Sequence, residues 1–118
     1  MTLNRGSLVW VDLGVGQGSE QRKRRPAIVV SNDAANHTAE LLGQGVVSLV
    51  PLTTSQKKAY PFQVFIPKAV SGLPQDSIAQ AEQVRAVDIT RVSALGAVLP
   101  KETMEQVSAA LRLHLGLW

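Results

Sequence analysis

The sequence predicts a mainly β fold: a small antiparallel barrel with one α-helix at its C-terminus. Three observations predict it. The apolar, β-branched runs are short and are separated by loops rich in Gly, Pro, Asn and Ser. No helical pattern stands between successive runs, as βαβ units would require. Helical periodicity is clear only near the end of the chain, where Met104, Val107, Leu111 and Leu115 recur on one face.

Residues 8–13 (LVWVDL) form the first strand, closed by Gly14, Gly16 and Gly18, which punctuate a long loop. A second strand, residues 27–31, follows Pro26, a residue suited to a strand start because it has no ladder donor to offer. Residues 31–36 (SNDAAN) read as a turn or a single helical turn. Gly43 and Gly45 then break the chain before a third strand, residues 46–52, which ends in Thr53-Thr54-Ser55. A fourth run, residues 62–66, lies between Pro61 and Pro67, and residues 76–87 supply one long or two short strands. Residues 95–98 add a last short strand. Pro100 suits the first position of the C-terminal helix, and Glu102 and Glu105 suit its positive end.

At 118 residues, 45% hydrophobic and 18% charged, the chain fits one folded domain spanning residues 1–118. No apolar stretch approaches the roughly 20 residues of a membrane helix. The N-terminus lacks a secretory signal and the chain has no cysteine, so a cytoplasmic protein without membrane contact is expected. The missing cysteines also remove disulfides, thiolate nucleophiles and Cys-based zinc sites. With only His37 and His114, a histidine metal site is poorly supplied, so no metal or other cofactor is expected. The glycines of the first loop are not followed by the Lys-Ser or Lys-Thr of a phosphate loop, and read as turn residues.

The net charge is only +3, but Arg22, Lys23, Arg24 and Arg25 place four of the twelve cations side by side, with Lys57 and Lys58 a second small cluster. Such local basicity beside a strand suits a phosphate-bearing ligand. Polar residues gather at strand ends: Ser19, Glu20 and Arg25 before the second strand, Thr53 to Ser55 after the third, and Glu82, Gln83 and Arg85 in the 76–87 segment. In a small barrel these ends converge at one rim. Arg25, its backbone restrained by Pro26, aims its fork of donors more reliably than its neighbours and suits the charge that develops on a phosphorane.

The segments "RGSLVWVDLGVGQGSEQ", "RRPAIVVSNDAAN", "VPLTTS", "YPFQV" and "DSIAQAEQVRAVD", in that order and with an amphipathic helix last, resemble the MazF/PemK/Kid family of toxin endoribonucleases. The resemblance implies an SH3-like β-barrel of the CcdB/PemK type, a homodimer, and metal-independent cleavage of single-stranded RNA at short sequences, leaving 2′,3′-cyclic phosphate and 5′-hydroxyl ends. It implies Arg25 and Thr53 as catalytic residues, the first stabilising the scissile phosphate and the second hydrogen-bonding a phosphate oxygen or the attacking 2′-OH. Neither is a proton acceptor near neutral pH, which leaves Glu20 and Glu82 as the available carboxylates for the role of base. The Kid branch has a histidine where this chain has Glu20, and an Arg-x-Asp pair where it has Gln80-Ala81-Glu82, so its proton-transfer scheme does not carry over unchanged.

Related proteins use the pair matching Glu82-Gln83 for base contacts, so Glu82 is a candidate for recognition as well as for catalysis. The remaining substrate-binding candidates are Ser19, Gln21, Arg22, Lys23, Arg24, Ser31, Thr54, Ser55, Lys57 and Arg85. The resemblance further implies a cognate antitoxin whose flexible acidic tail covers the cationic groove. Two other readings stay open: an RNA-binding barrel without catalysis, and a protein-directed poison like the gyrase inhibitor CcdB. The Gly116-Leu117-Trp118 ending, unlike that poison's Trp-Gly-Ile end, counts against the second.

Overall fold

In a computed structural model, which describes residues 2–118, seven strands build one strongly bent antiparallel sheet. They are β1 (Ser7–Asp12), β2 (Arg24–Val29), β3 (Val46–Thr53), β4 (Gln63–Ile66), β5 (Ser77–Gln80), β6 (Arg85–Asp88) and β7 (Val92–Val98). The ladder runs β4-β5-β3-β2-β1-β7, with β6 also paired to β3. The sheet does not close on itself, which corrects the barrel expectation in that detail and leaves β4, β6 and β7 each with one unpaired side.

The hub is β3. Residues 46–49 pair with β6 and residues 52–53 with β5, while Leu49, Val50 and Pro51 face Val29, Ile28 and Ala27 of β2. Its edges are taken by those three partners and both of its faces are covered, since Val47 and Leu49 enter one core and Val50 and Leu52 another, which explains its nearly unbroken apolar sequence. Alternation then sends side chains to two cores. Val9, Val11, Ala27, Val29, Val47 and Leu49 form one, and Leu8, Ile28, Val50, Leu52, Val64 and Ile66 form the other.

The first core is covered by a helix, α1 (Asp33–Leu42), where the sequence reading had only a turn or one helical turn. The ends of α1 are well specified: the Asn32 side chain accepts from Ala35 N at 2.8 Å, and Gly43 closes it in the left-handed region at φ 65°. Only Asn36 and Ala39 are buried on it, so no apolar stripe announced it. Asn36 is fully buried but satisfied, donating to the Ser31 carbonyl at 2.9 Å and bonding the Ser31 hydroxyl. Replacing Asn32 by alanine is expected to cost about 0.5–2 kcal/mol through the lost cap, read from the midpoint of urea unfolding. No change in midpoint would show that packing alone holds α1.

A single turn, α2 (Lys68–Ser71), follows β4. The 76–87 segment resolves into two short strands, β5 and β6, joined by a 3₁₀ turn at Ala81–Gln83. The C-terminal helix, α3 (Lys101–Leu115), covers the second core through Met104, Val107 and Ala110. Pro100 is its cap rather than its first residue, and Leu115 is exposed, so the buried stripe ends at Ala110 and the half-buried Leu111. Gly116 terminates it at φ 69°. Among the described residues no helix is long and apolar enough to cross a membrane.

Candidate functional site

Strand β2 begins at Arg24, so Arg24, Arg25 and Pro26 lie inside it and face Asp12, Val11 and Trp10 of β1. Arg25 is therefore held by strand pairing as well as by proline. Its Nε donates to the Arg22 carbonyl at 2.8 Å, which fixes the plane of the guanidinium and leaves its terminal nitrogens for a ligand.

The loop preceding it is pinched at its base by Leu13 N to Lys23 O (3.0 Å) and Lys23 N to Gly14 O (2.8 Å). Lys23 sits at φ 70°, an uncommon conformation for a side chain with a Cβ. Inside the loop Gly16, at φ 65°, is packed so closely that a Cβ would come within 3.1 Å of the Glu20 carbonyl oxygen. The loop is thus a folded object, and glycine is required at that point.

Three hydrogen bonds tie the loop to the turn after β5. Gln21 N donates to Gln83 Oε1 (3.1 Å), Gln21 Nε2 to Gln80 Oε1 (2.5 Å), and Gln83 Nε2 to the Ser19 carbonyl (2.9 Å). Glu20, between the pinned residues, is exposed. On the other side of the turn, buried Gln63 of β4 donates to Glu82 Oε2 at 2.6 Å, and its Oε1 accepts from Tyr60 N (3.1 Å) and from Gln56 Nε2. Glu82 is therefore engaged by Gln63 rather than by Arg85, and its Oε1 is buried without a partner. Sequence reading missed Gln56, Gln63 and Gln80. A glutamine set between apolar strand positions was the available signal for Gln63, because a buried amide needs partners.

Thr53 is only 2% exposed; its Oγ1 lies 3.0 Å from Ser55 Oγ and accepts from Ser55 N at 3.3 Å. The exposed hydroxyls at this strand end are those of Thr54 and Ser55. The β2–β3 register ends with Ala27 opposite Pro51, two residues short of Arg25 and Thr53, and Thr53 pairs instead with Ile78 of β5. Among the described residues no hydrogen bond joins Arg25 and Thr53. Lys57 and Lys58 are exposed on the next loop, where the Lys58 carbonyl accepts from Gln56 Nε2 at 2.7 Å.

Two candidates are not brought to this rim. Ser31 follows the other end of β2, its hydroxyl taken up by Asn36 Oδ1 and by Ser48 N at 3.0 Å. Arg85 opens β6 opposite Leu49, within the body of the sheet. Among the described residues no three His, Cys, Asp or Glu side chains gather as a metal-ligand set.

A cleft of about 280 Å³ adjoins the rim, lined by residues including Trp10, Arg24, Arg25, Pro26, Leu52 and Thr54. Trp10 is a further residue that sequence reading passed over; its indole lies 5.7 Å below the Arg24 guanidinium carbon.

An antiparallel sheet bearing a folded cationic loop, cross-linked to a polar turn at its rim, defines a small β protein with a cationic surface cleft. The chain belongs to the family described as PemK-like, MazF-like toxins of type II toxin-antitoxin systems, whose model matches residues 4–115. It is 46% identical over 117 residues to the endoribonuclease MazF9 of Mycobacterium tuberculosis, covering 98% of each chain. In structure it is similar to MazF from Deinococcus radiodurans, with a TM-score of 0.78, 30% identity and 99% of both chains covered. The MazE-MazF complex from the same organism aligns at a TM-score of 0.72 and 28% identity, over 100% of this chain and 99% of the other.

Proposed function

We propose that this MazF-type toxin endoribonuclease cuts single-stranded RNA at short sequences by internal transesterification. The ribose 2′-oxygen attacks the adjacent phosphorus, its proton passes to Glu20, and the P–O5′ bond breaks as the 5′-oxygen takes up a proton from water. The products are a 2′,3′-cyclic phosphate and a 5′-hydroxyl. Arg25 stabilises the charge that develops on the non-bridging oxygens, and Thr53, with the Ser55 hydroxyl it holds, hydrogen-bonds the phosphate. Glu82 and Gln83 read a base edge, while Arg22, Lys23, Arg24 and Lys57 supply salt-sensitive attraction to the backbone.

One observation carries this reading. The Arg25 guanidinium is bonded to the loop whose Ser19–Gln21 segment is itself bonded to Gln80 and Gln83, so cation, exposed carboxylate and base-reading turn form one connected unit. The role given to Thr53 rests on the family resemblance and on its hydroxyl's contact with Ser55 at the end of β3. Glu20 is preferred as base over Glu82 because Glu82 is fixed by Gln63 as a hydrogen-bond acceptor. The active form is a homodimer in the cytoplasm, and its antitoxin lays an acidic flexible segment over the cationic loop.

The test is a chelator-treated digest of an RNA in which each 2′-OH is replaced in turn by hydrogen. Protection is expected at one nucleotide, 5′ to the cut. Cleavage indifferent to every replacement, or lost with the chelator, overturns the mechanism. Glu20→Gln is expected to slow cleavage by about 10²- to 10⁴-fold; an unchanged rate removes Glu20 as base.

A further inference from the structure

We infer that the cleft beside β1 is a pocket for one unstacked nucleobase of the RNA, with Trp10 as its stacking platform. The inference rests on the RNA-cleaving reading above. On the face of β1 that turns towards the second core, Leu8 is buried and Asp12 is exposed, so Trp10 stands where the core ends and the cleft begins. The chain has few aromatic side chains: two Trp, one Tyr and two Phe. Tyr60 and Phe62 already stack on each other at 5.7 Å, Trp118 is the fully exposed last residue, and Phe65 is half-exposed on β4, away from this cleft and from the cations at its mouth. Trp10 is the indole held by a strand at the mouth of a cavity.

The other walls fit a base. Leu73 and Pro74 offer apolar contact, and two hydroxyls converge on the same space. Ser77 is 2% exposed, and its Oγ makes only a long 3.4 Å contact to the Gln75 carbonyl, so its bonding capacity is largely unspent. Thr54 is exposed. Such a setting, a ring face plus a few polar atoms for the edge, is how single-stranded RNA is held. Arg24 is exposed over the indole and is free to swing onto the phosphate of the nucleotide whose base takes the ring face. Arg25 lines the same cleft, so the pocketed base lies next to the scissile position. The cation pair at the mouth favours a polyanion over an uncharged ligand.

The experiment uses a Trp118→Phe protein, in which Trp10 is the sole indole. The probe is a short RNA spanning a mapped cut site, made uncleavable by hydrogen in place of the scissile 2′-OH. Saturable quenching of the indole emission is expected, and it should vanish when one position of the RNA, and only one, is made abasic. Trp10→Leu should raise KM for cleavage by about ten- to a hundredfold with kcat nearly unchanged, and Trp10→Phe should recover most of the loss. Quenching that survives every abasic substitution, or a Trp10→Leu protein with unchanged KM, overturns the pocket. Quenching by an acidic peptide but not by RNA also overturns it, and assigns the cleft to a protein partner. Position-specific quenching without cleavage of the natural RNA would keep the pocket and defeat the nuclease reading instead.

Discussion

Arg25→Ala is expected to lower the cleavage rate by about 10²- to 10³-fold, the usual cost of removing one donor aimed at developing negative charge. Affinity for an uncleavable RNA should fall by less than about tenfold, because Arg22, Lys23 and Arg24 remain and one lost phosphate contact changes the salt slope by only about 0.7. The split between rate and affinity is what separates Arg25 from its neighbours. Its Nε is already committed to the Arg22 carbonyl, so the guanidinium meets the phosphate in a fixed plane and pays little to be ordered. Arg22, exposed on the loop, contributes charge but no fixed direction. Arg25→Lys should restore binding but little of the rate, since an ammonium lacks the planar fork. Single-turnover cleavage and equilibrium binding measure the two quantities separately. Equal losses in both, or unchanged turnover, would reduce Arg25 to one more cation of the loop.

The same residue shows how far the sequence could be read. Its place beside a proline and a buried run was visible, and so was its kinship to a family. That it lies within β2, opposite Val11, was not, because residues 22–25 are all charged and carry no strand pattern. Strand pairing with β1 overrides composition there. The strands themselves were legible because short β-branched runs between Gly and Pro have few other uses, and the stripe on α3 was legible through its period. Helix α1 was hidden for the opposite reason: its caps, Asn32 and Gly43, are good, but it buries an asparagine and an alanine rather than a row of large apolar groups. Open rather than closed topology depends on whether β4, β6 or β7 finds a second partner, and no local pattern encodes that. At the rim, Ser19 and Gln83 were singled out by their position at strand ends. Gln63 and Gln80 were not, since they lie on strands and their partners are distant in sequence.

Gln63 sets up the second large effect. Gln63→Leu is expected to destabilise the protein by about 2–4 kcal/mol, more than the loss of one ordinary hydrogen bond, because it strands partners on both sides. Tyr60 N and Gln56 Nε2 lose their acceptor, and Glu82 Oε2 joins Oε1 as a carboxylate oxygen without a protein donor in a half-buried setting. The decisive comparison is the double variant Gln63→Leu/Glu82→Leu. Removing both ends of a buried polar contact is far less costly than removing one, so the double variant should recover the share of the lost stability that the stranded Glu82 carboxylate accounts for. Urea unfolding midpoints measure this directly. Function should move the other way: the double variant keeps Arg25 and Glu20, and so should still turn over RNA, but it has lost the acceptor that reads a base and should cut with relaxed sequence preference. A double variant no more stable than Gln63→Leu would place the penalty in the 56–60 loop instead of at Glu82. A double variant with unaltered cleavage sites would remove Glu82 from base reading and leave its unpartnered oxygen without a ligand to explain it.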